Sequence, residues 1–551
     1  MRRALSAILF LATGCSEGPS EPVDPPGNPA PELGCARMTE VSLAPGESAV
    51  LDEAAGSGCI RLPARSGETE YLTVVYSAAT AIAPDGISGP YLLRSRGAVA
   101  ALASPTIGPS PKAAPFQDDP ASHFHELLRT RERRLSAPSL STPGASVSPA
   151  PPPLVGQQRT FGVCATPACS EVVPVQVTAV HVGQRVALLV DDALPSGGFA
   201  PDDLIRLGRL FDEQLHPLGR AAFGQESDVD QNGIVLVVMT AQVNRLCPML
   251  GGVATGYFYG LDLQPASPGS NGGEVFFALV PDPEGQNGCP VTREFVERVL
   301  PGTFIHEFQH MISYNQHVLV RGGPAEESWL NEGLSHYAEE LGGRRVPNAH
   351  CVAGDCLSQF AFNDISNAYR YLFAPEDSYL LYPSASTGRI AERGAAWLFV
   401  RWLSDHHAGG DGFTRALVAT GKVGAANIVA ATGADFASLL GEWHLANYLD
   451  DLTDFSARNP RLSYTSWNLR VTMASLRAQY PGQFSRAFPL APDLSQGTFD
   501  RGGTLRGGSG RHLRVIVPAR GQPIDLRLSD ASGSAGVLSA LSARVAIARI
   551  R

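Results

Sequence analysis

The sequence carries no basic stripe, no internal repeat and, beyond its first residues, no long apolar run. Lys and Arg total 43 against 53 acidic residues, a formal net charge of −10. The positive field that nucleic-acid binding needs is therefore missing. No stretch reaches the roughly 18 consecutive apolar residues of a membrane-spanning helix. The lack of a repeat sets solenoid arrays aside. What remains is ordinary globular composition, 44% hydrophobic and 17% charged, with 57 Gly and 43 Pro that point to linkers or turn-rich β structure. At 551 residues the chain is too long for a single core, and about two to four domains are expected.

Arg2 and Arg3 precede a short apolar core, Ala4 to Ala12, and then Thr13-Gly14-Cys15. This is the layout of a signal peptide, too short to span a bilayer. The L-A-T-G-C ending resembles a bacterial lipobox, with Ala12 where leucine is usual. That resemblance implies acylation of Cys15, residues 1–15 as a lipoprotein signal, and anchoring to the cell envelope. Ser16 after the cysteine favours the outer membrane. A plain secretory signal is the alternative. Setting Cys15 aside leaves eight of nine cysteines. The simplest pairing in an oxidising compartment is sequential: Cys35–Cys59, Cys164–Cys169, Cys247–Cys289 and Cys351–Cys356. The two C-x4-C spacings leave a structural metal site as the alternative.

Composition divides the rest as follows. Residues 16–34 are a Pro-rich tether. Residues 35–103 alternate short apolar runs with Gly/Pro turns, the pattern of a small β-sandwich. Residues 104–157 read as a low-complexity linker interrupted by a helix over His123 to Leu135, whose R-T-R-E-R-R charge run suits a solvated face. Strand-like segments then lead through a helix at about 201–215 into D-V-D-Q-N-G (Asp228 to Gly233) and I-V-L-V-V-M-T. Asp228, Asp230 and Asn232 mimic the start of a calcium loop, but Met239 stands where its glutamate belongs. A polar turn is the preferred reading and calcium the weaker one. Asn271 to Phe277 reads as a further strand, at a sheet edge. Residues 293–447 are predominantly helical, and alternation returns after Phe488, implying a C-terminal β domain at 481–551. The expected class is α+β and multidomain.

Thr303 to Tyr314 reads T-F-I-H-E-F-Q-H-M-I-S-Y, set off from the preceding helical stretch by Pro301-Gly302. On a helix, His306 and His310 lie about 40° apart and about 6 Å along the axis, so both imidazoles can meet one zinc ion with Glu307 beside it. Two unmetallated helix histidines would show the same spacing. Ser328 to Glu340 reads S-W-L-N-E-G-L-S-H-Y-A-E-E. Its periodic apolar residues describe a second helix able to pack on the first and present Glu332 as a third ligand.

Together, H-E-F-Q-H and W-L-N-E-G resemble the gluzincins, zinc peptidases whose third ligand is glutamate. H-E-F-Q-H-M-I and W-L-N-E-G-L-S-H-Y-A-E-E resemble most the hyicolysin-type neutral metallopeptidases. Weaker likenesses run from G-Y-F (Gly256 to Phe258) to G-A-A-W-L-F-V-R-W-L (Gly394 to Leu403), so the resemblance covers roughly residues 155–480. It implies a thermolysin-like peptidase domain at 158–480, a mixed sheet followed by helices. It also implies one zinc on His306, His310 and Glu332, Glu307 as general base, and a peptide or protein substrate. Where thermolysin-like relatives carry an aspartate four places after the third ligand, this chain has His336, so Glu339 or Glu340 would orient an imidazole instead. Gluzincin aminopeptidases carry an oxyanion-stabilising tyrosine in Y-E-K-G. The comparable A-E-R-G here places Ala391 there, leaving Tyr382, Tyr379 or Tyr371 as candidates. Two other functions stay open: an inactive surface lipoprotein that binds a protein or polysaccharide, and a zinc hydrolase acting on a non-peptide bond. Glu307 favours the peptidase, because a pure binding site needs only ligands. A monomer is expected.

Overall fold

Extended segments at both ends of the chain have one apolar face each, and neither face can be buried alone. In the computed structural model they bury each other. The structure describes residues 33–52, 58–97, 120–135, 151–194, 198–383, 389–407 and 409–551. Cys15, the signal segment and nearly all of the 16–34 tether lie outside these residues.

The chain begins with β1 (Arg37–Glu40), β2 (Ser48–Leu51), β3 (Gly58–Leu62), β4 (Thr69–Ser77) and β5 (Ser88–Arg96). Helix α1 (Pro120–Glu132) precedes β6 (Gln158–Cys164), β7 (Val172–Val182) and β8 (Val186–Asp191). Next come α2 (Pro201–Leu210), α3 (His216–Phe223) and β9 (Val235–Met239). Short helices α4 (Ala241–Asn244) and α5 (Cys247–Leu250) lead to β10 (Gly256–Phe258) and β11 (Val275–Ala278). A helical run follows with α6 (Arg293–Tyr314), α7 (Ser328–Arg345), α8 (Cys356–Phe373) and α9 (Ile390–His406). It continues as α10 (Asp411–Val418), α11 (Gly424–Thr432), α12 (Phe436–Leu449) and α13 (Leu469–Gln479). The chain closes on β12 (Asp493–Gln496), β13 (Asp500–Arg506), β14 (Gly510–Val517), β15 (Ile524–Ser529) and β16 (Ala543–Arg549).

Residues 35–103 and 481–551, expected as two separate β units, share their sheets. One sheet runs β1-β3-β15-β5-β13 and the other β12-β14-β4-β16-β2. Tyr76 stands opposite both Gly510 and Arg544, so β4 is flanked on both sides by C-terminal strands. Alternation alone shows which face of a strand is apolar and not which distant strand it pairs with. The two sheets enclose a core including Leu62, Tyr71, Val75, Leu93, Leu513 and Val545.

The middle of the chain builds a third sheet, β10-β11-β9-β8-β7-β6. β9 runs parallel to β8 and β11, while β10 pairs antiparallel with β11. Hence β11, expected at the edge, is interior, and β10 holds the edge beside the helices. Parallel pairing needs both faces covered, and β8 and β9 are buried at every position. α6 packs on this sheet and runs unbroken through Pro301-Gly302, where a boundary was expected. Proline in a helix interior costs about 3 kcal/mol. Burial offsets this: Phe304, Ile305, Phe308, Met311 and Ile312 are all inaccessible, and each such side chain contributes about 1.5–3 kcal/mol.

The four sequential disulfides are formed, with Cα–Cα distances of 5.6, 4.7, 5.8 and 5.1 Å in chain order. No helix among the described residues is long and apolar enough to cross a membrane.

Candidate metal centre

Helical spacing puts His306 and His310 on one face of α6, and α7 lies across it. Their Nε2 atoms stand 3.1 Å apart. Glu332, in the second turn of α7, places Oε2 3.6 Å from His306 Nε2 and Oε1 3.5 Å from His310 Nε2. Those separations are too long for hydrogen bonds, and both carboxylate oxygens are buried without a partner of that kind. Ligands about 2.0–2.1 Å from one tetrahedral zinc stand roughly 3.3 Å apart. The two imidazoles and the buried carboxylate thus fit a zinc ion by donor type and spacing.

Each imidazole is aimed by its other nitrogen. His306 Nδ1 donates to Glu339 Oε1 at 2.7 Å, and His310 Nδ1 to Asn331 Oδ1 at 3.2 Å. Such partners fix which nitrogen faces the ion. Glu339 also lies 3.0 Å from His336 Nδ1, which lies 2.9 Å from Asp364. Glu340, the other candidate, points elsewhere: it accepts from the indoles of Trp397 and Trp467 and pairs with Arg344 and Arg401.

Arg393 was not singled out from the sequence, yet its Nη1 lies 3.2 Å from Glu332 Oε2. It belongs to A-E-R-G, so that segment meets the site through its arginine and not through Ala391. Two glycines permit this approach. A Cβ on Gly333 would sit 2.9 Å from Ala396 O of α9, and one on Gly394 would sit 2.2 Å from Asn367 of α8. Charge follows from this crowding. Burial opposes the charged form of Glu332, but Arg393 and the two histidines hold its carboxyl well below the usual range. Burial likewise opposes protonated His306, yet Glu332 and Glu339 carry it up to about 10. His310, buried and facing the Arg129 charge, falls to about 3.

Glu307 sits beside this cluster and accepts from Phe258 N of edge strand β10 at 2.8 Å. Burial pushes its carboxyl up, with His306 and Arg129 opposing. The third wall is α1. Its charge run, expected to be solvated, is partly buried because it faces the edge strand. Arg129 donates to Phe258 O, and Glu132 accepts from Gly260 N at 2.6 Å. The two form a buried ion pair at 3.1 Å. One turn earlier, a His125 nitrogen comes within 4.8 Å of ligand atoms of both His306 and Glu307, and burial holds His125 well below its ordinary value. Glu307 is consequently only 1% exposed. Nothing in the charge run itself marks this docking, since only the position of β10 decides it.

The tyrosine candidates separate. Tyr382 donates to Ser328 O at the start of α7, at 3.1 Å, and feels the charges of Glu332 and Arg393. Tyr379 lies against Gly86, and Tyr371 stacks on Trp443 at 5.7 Å between ring centres.

No family model matches the chain. Over 192 residues, 31% of this chain, it is 27% identical to the neutral metalloprotease ShpI of Staphylococcus hyicus. The matched stretch spans 42% of that protein, less than half its length. Over about a third of its length, then, the chain is similar to a metalloprotease.

Proposed function

We propose that the chain is an exported zinc-dependent peptidase that hydrolyses peptide bonds of extracellular proteins or peptides. The observation that carries this reading is the convergence of His306 Nε2, His310 Nε2 and a buried Glu332 carboxylate that accepts no hydrogen bond, with Glu307 adjoining. His306, His310 and Glu332 would hold the metal. Zinc bound there supplies Lewis acidity to a peptide carbonyl and to the attacking water. Glu307 takes the water's proton as the C–O bond forms and delivers it to the amine nitrogen as the C–N bond breaks. A raised carboxyl pKa suits both roles, because the group must accept and then release a proton near neutral pH. Glu339 and Asn331 keep the imidazoles aimed, and Tyr382 is the tyrosine best placed to support the oxyanion. The mixed sheet followed by the α6–α7 pair suits a thermolysin-like arrangement. Access requires α1 to move away from β10.

Four neighbouring disulfides support export. Acylation at Cys15 and an outer-membrane anchor complete the reading, and mass spectrometry of the N-terminal peptide tests both. An unmodified Cys15 refutes the anchor.

The covered, 1%-exposed Glu307 favours a second reading, an inactive surface lipoprotein that binds a partner. Zinc content and casein hydrolysis, with and without a chelator, separate the two. The peptidase reading expects one zinc and chelator-sensitive cleavage in the parent, and zinc without cleavage in Glu307→Gln. A zinc-loaded parent that cleaves nothing, even with residues 120–135 removed, leaves the binding reading.

A further inference from the structure

On the same sheet lies a second cluster that the peptidase reading does not use. The turn Asp228-Val229-Asp230-Gln231-Asn232-Gly233 feeds into β9, with Gly233 at φ +68°. Glu274 immediately precedes β11, which pairs parallel with β9 in the register Val275↔Leu236. Parallel pairing brings two strand starts to the same end of a sheet, and the Leu236 N–H donates to the Glu274 carbonyl at 2.7 Å. As a result Asp228, Asp230 and Glu274 each bring a carboxylate oxygen within 4.8 Å of the others.

Glu274 is 2% exposed. Its Oε1 accepts from Ser227 Oγ at 2.5 Å and Val229 N at 2.9 Å, whereas Oε2 is buried with no hydrogen-bond partner. An unpartnered buried carboxylate oxygen is costly. Burial, with the nearby Asp230 charge, pushes this carboxyl up to about 7. Asp230, also buried, accepts from the backbone N and side chain of Asn232, and Asp228 from Gly233 N at 3.0 Å. Arg159, the cation whose charge reaches Asp230, donates to Pro151 O.

We propose that Asp228, Asp230 and Glu274 bind a calcium ion. All three are hard oxygen donors, the class calcium selects. A continuous calcium loop draws ligands from positions 1, 3 and 5, turns on a glycine at 6, and closes with a glutamate at 12. Asp228, Asp230, Asn232 and Gly233 occupy the first four of these places, but the chain then enters β9 and reaches Met239 at the twelfth. Glu274 supplies the missing carboxylate from the neighbouring strand. The ion would clamp the starts of β9 and β11 together, two residues before Phe276. Phe276 faces Phe258, whose N–H holds Glu307.

The test uses the full chain, with calcium chloride titrated by calorimetry and thermal unfolding followed with and without it. One calcium per chain and a higher unfolding temperature are expected. Asp228→Asn, at an exposed position that leaves the fold undisturbed, lowers affinity at least about tenfold by removing ligand charge, and Glu274→Gln abolishes binding. Glu332→Ala, which disables the zinc cluster, leaves calcium binding unchanged. Absence of calcium binding in the parent, or equal affinity in Asp228→Asn and Glu274→Gln, overturns the proposal. Equal stabilisation by magnesium chloride overturns its calcium character.

Discussion

The His306–His310–Glu332 and Asp228–Asp230–Glu274 clusters each bring three ligand-type groups within 4.8 Å of one another, and they do so by different routes. His306, His310 and Glu332 stand on two packed helices, where a four-residue spacing alone brings two of them together. Asp228, Asp230 and Glu274 meet only because β9 and β11 run parallel and in register. The first set mixes imidazole nitrogen with one carboxylate, suited to zinc, while the second is all oxygen. Both contain a buried carboxylate oxygen that accepts no hydrogen bond. Glu326 is the contrast: its Oε1 takes Gly424 N and Glu327 N, and its Oε2 takes Asn427 Nδ2. It is a buried carboxylate already satisfied without a cation.

The largest expected effect separates the clusters outright. Glu332→Ala should lose zinc and peptide hydrolysis together. Elemental analysis showing full zinc in this variant breaks the comparison.

Arg129→Ala comes next. It leaves Glu132 buried without its cation, and breaking a buried pair in this way costs about 3–5 kcal/mol. Undocking of α1 should appear as faster amide exchange over residues 120–132 and faster cleavage of a short peptide. Unchanged exchange removes α1 as a cover.

Glu326 supplies a pH test. Burial raises its carboxyl to about 8 in the folded chain. The stability it contributes is therefore present below about pH 4.5 and lost as pH rises through about 8, roughly a few kcal/mol in all. His317, 3.7 Å away, is lowered by burial to about 4 and slopes the opposite way below its ordinary value of 6.5. Above 6.5 His317 no longer contributes, and the other buried carboxyls that titrate there, Glu274 among them, are common to parent and variant, so the difference between the two reads the glutamate. Glu326→Gln should lessen the fall of the unfolding midpoint there relative to the parent, and metal content should not change.

Glu339→Gln should weaken zinc about 10–100-fold without abolishing activity, as loss of an imidazole's outer partner does. Competition with a chromogenic chelator measures it. The smallest effect belongs to the surface pair Arg345–Asp411, 2.6 Å apart. Removing it should change stability by under about 1 kcal/mol, and less still in high salt.

The contrast also explains what the sequence could show. His306, His310 and Glu332 were legible because helical periodicity is local and leaves a fixed spacing. The four disulfides followed from counting. Glu274 was not legible, since nothing at Asn271 to Phe277 states that its strand lies beside β9. Arg393 was hidden for the same reason, because it reaches Glu332 only through the close approaches at Gly333 and Gly394. The burial of Arg129 and Glu132 was hidden too. A charge run faces solvent by default, and only the edge position of β10 reverses that.

The shared sheets also bear on the order in which the molecule is made. β4 has β14 on one side and β16 on the other, and both leave a ribosome well after it. At about 5–20 residues per second, the first five strands wait on the order of tens of seconds for their neighbours. The helices and the central sheet draw mainly on nearer contacts and can assemble during that interval, since nearby contacts close faster than distant ones. Until β14 and β16 arrive, β4 presents bare ladder edges of the kind that recruit other chains. Synthesis interrupted before residue 510 should therefore yield a product that holds its helices but aggregates through its N-terminal strands.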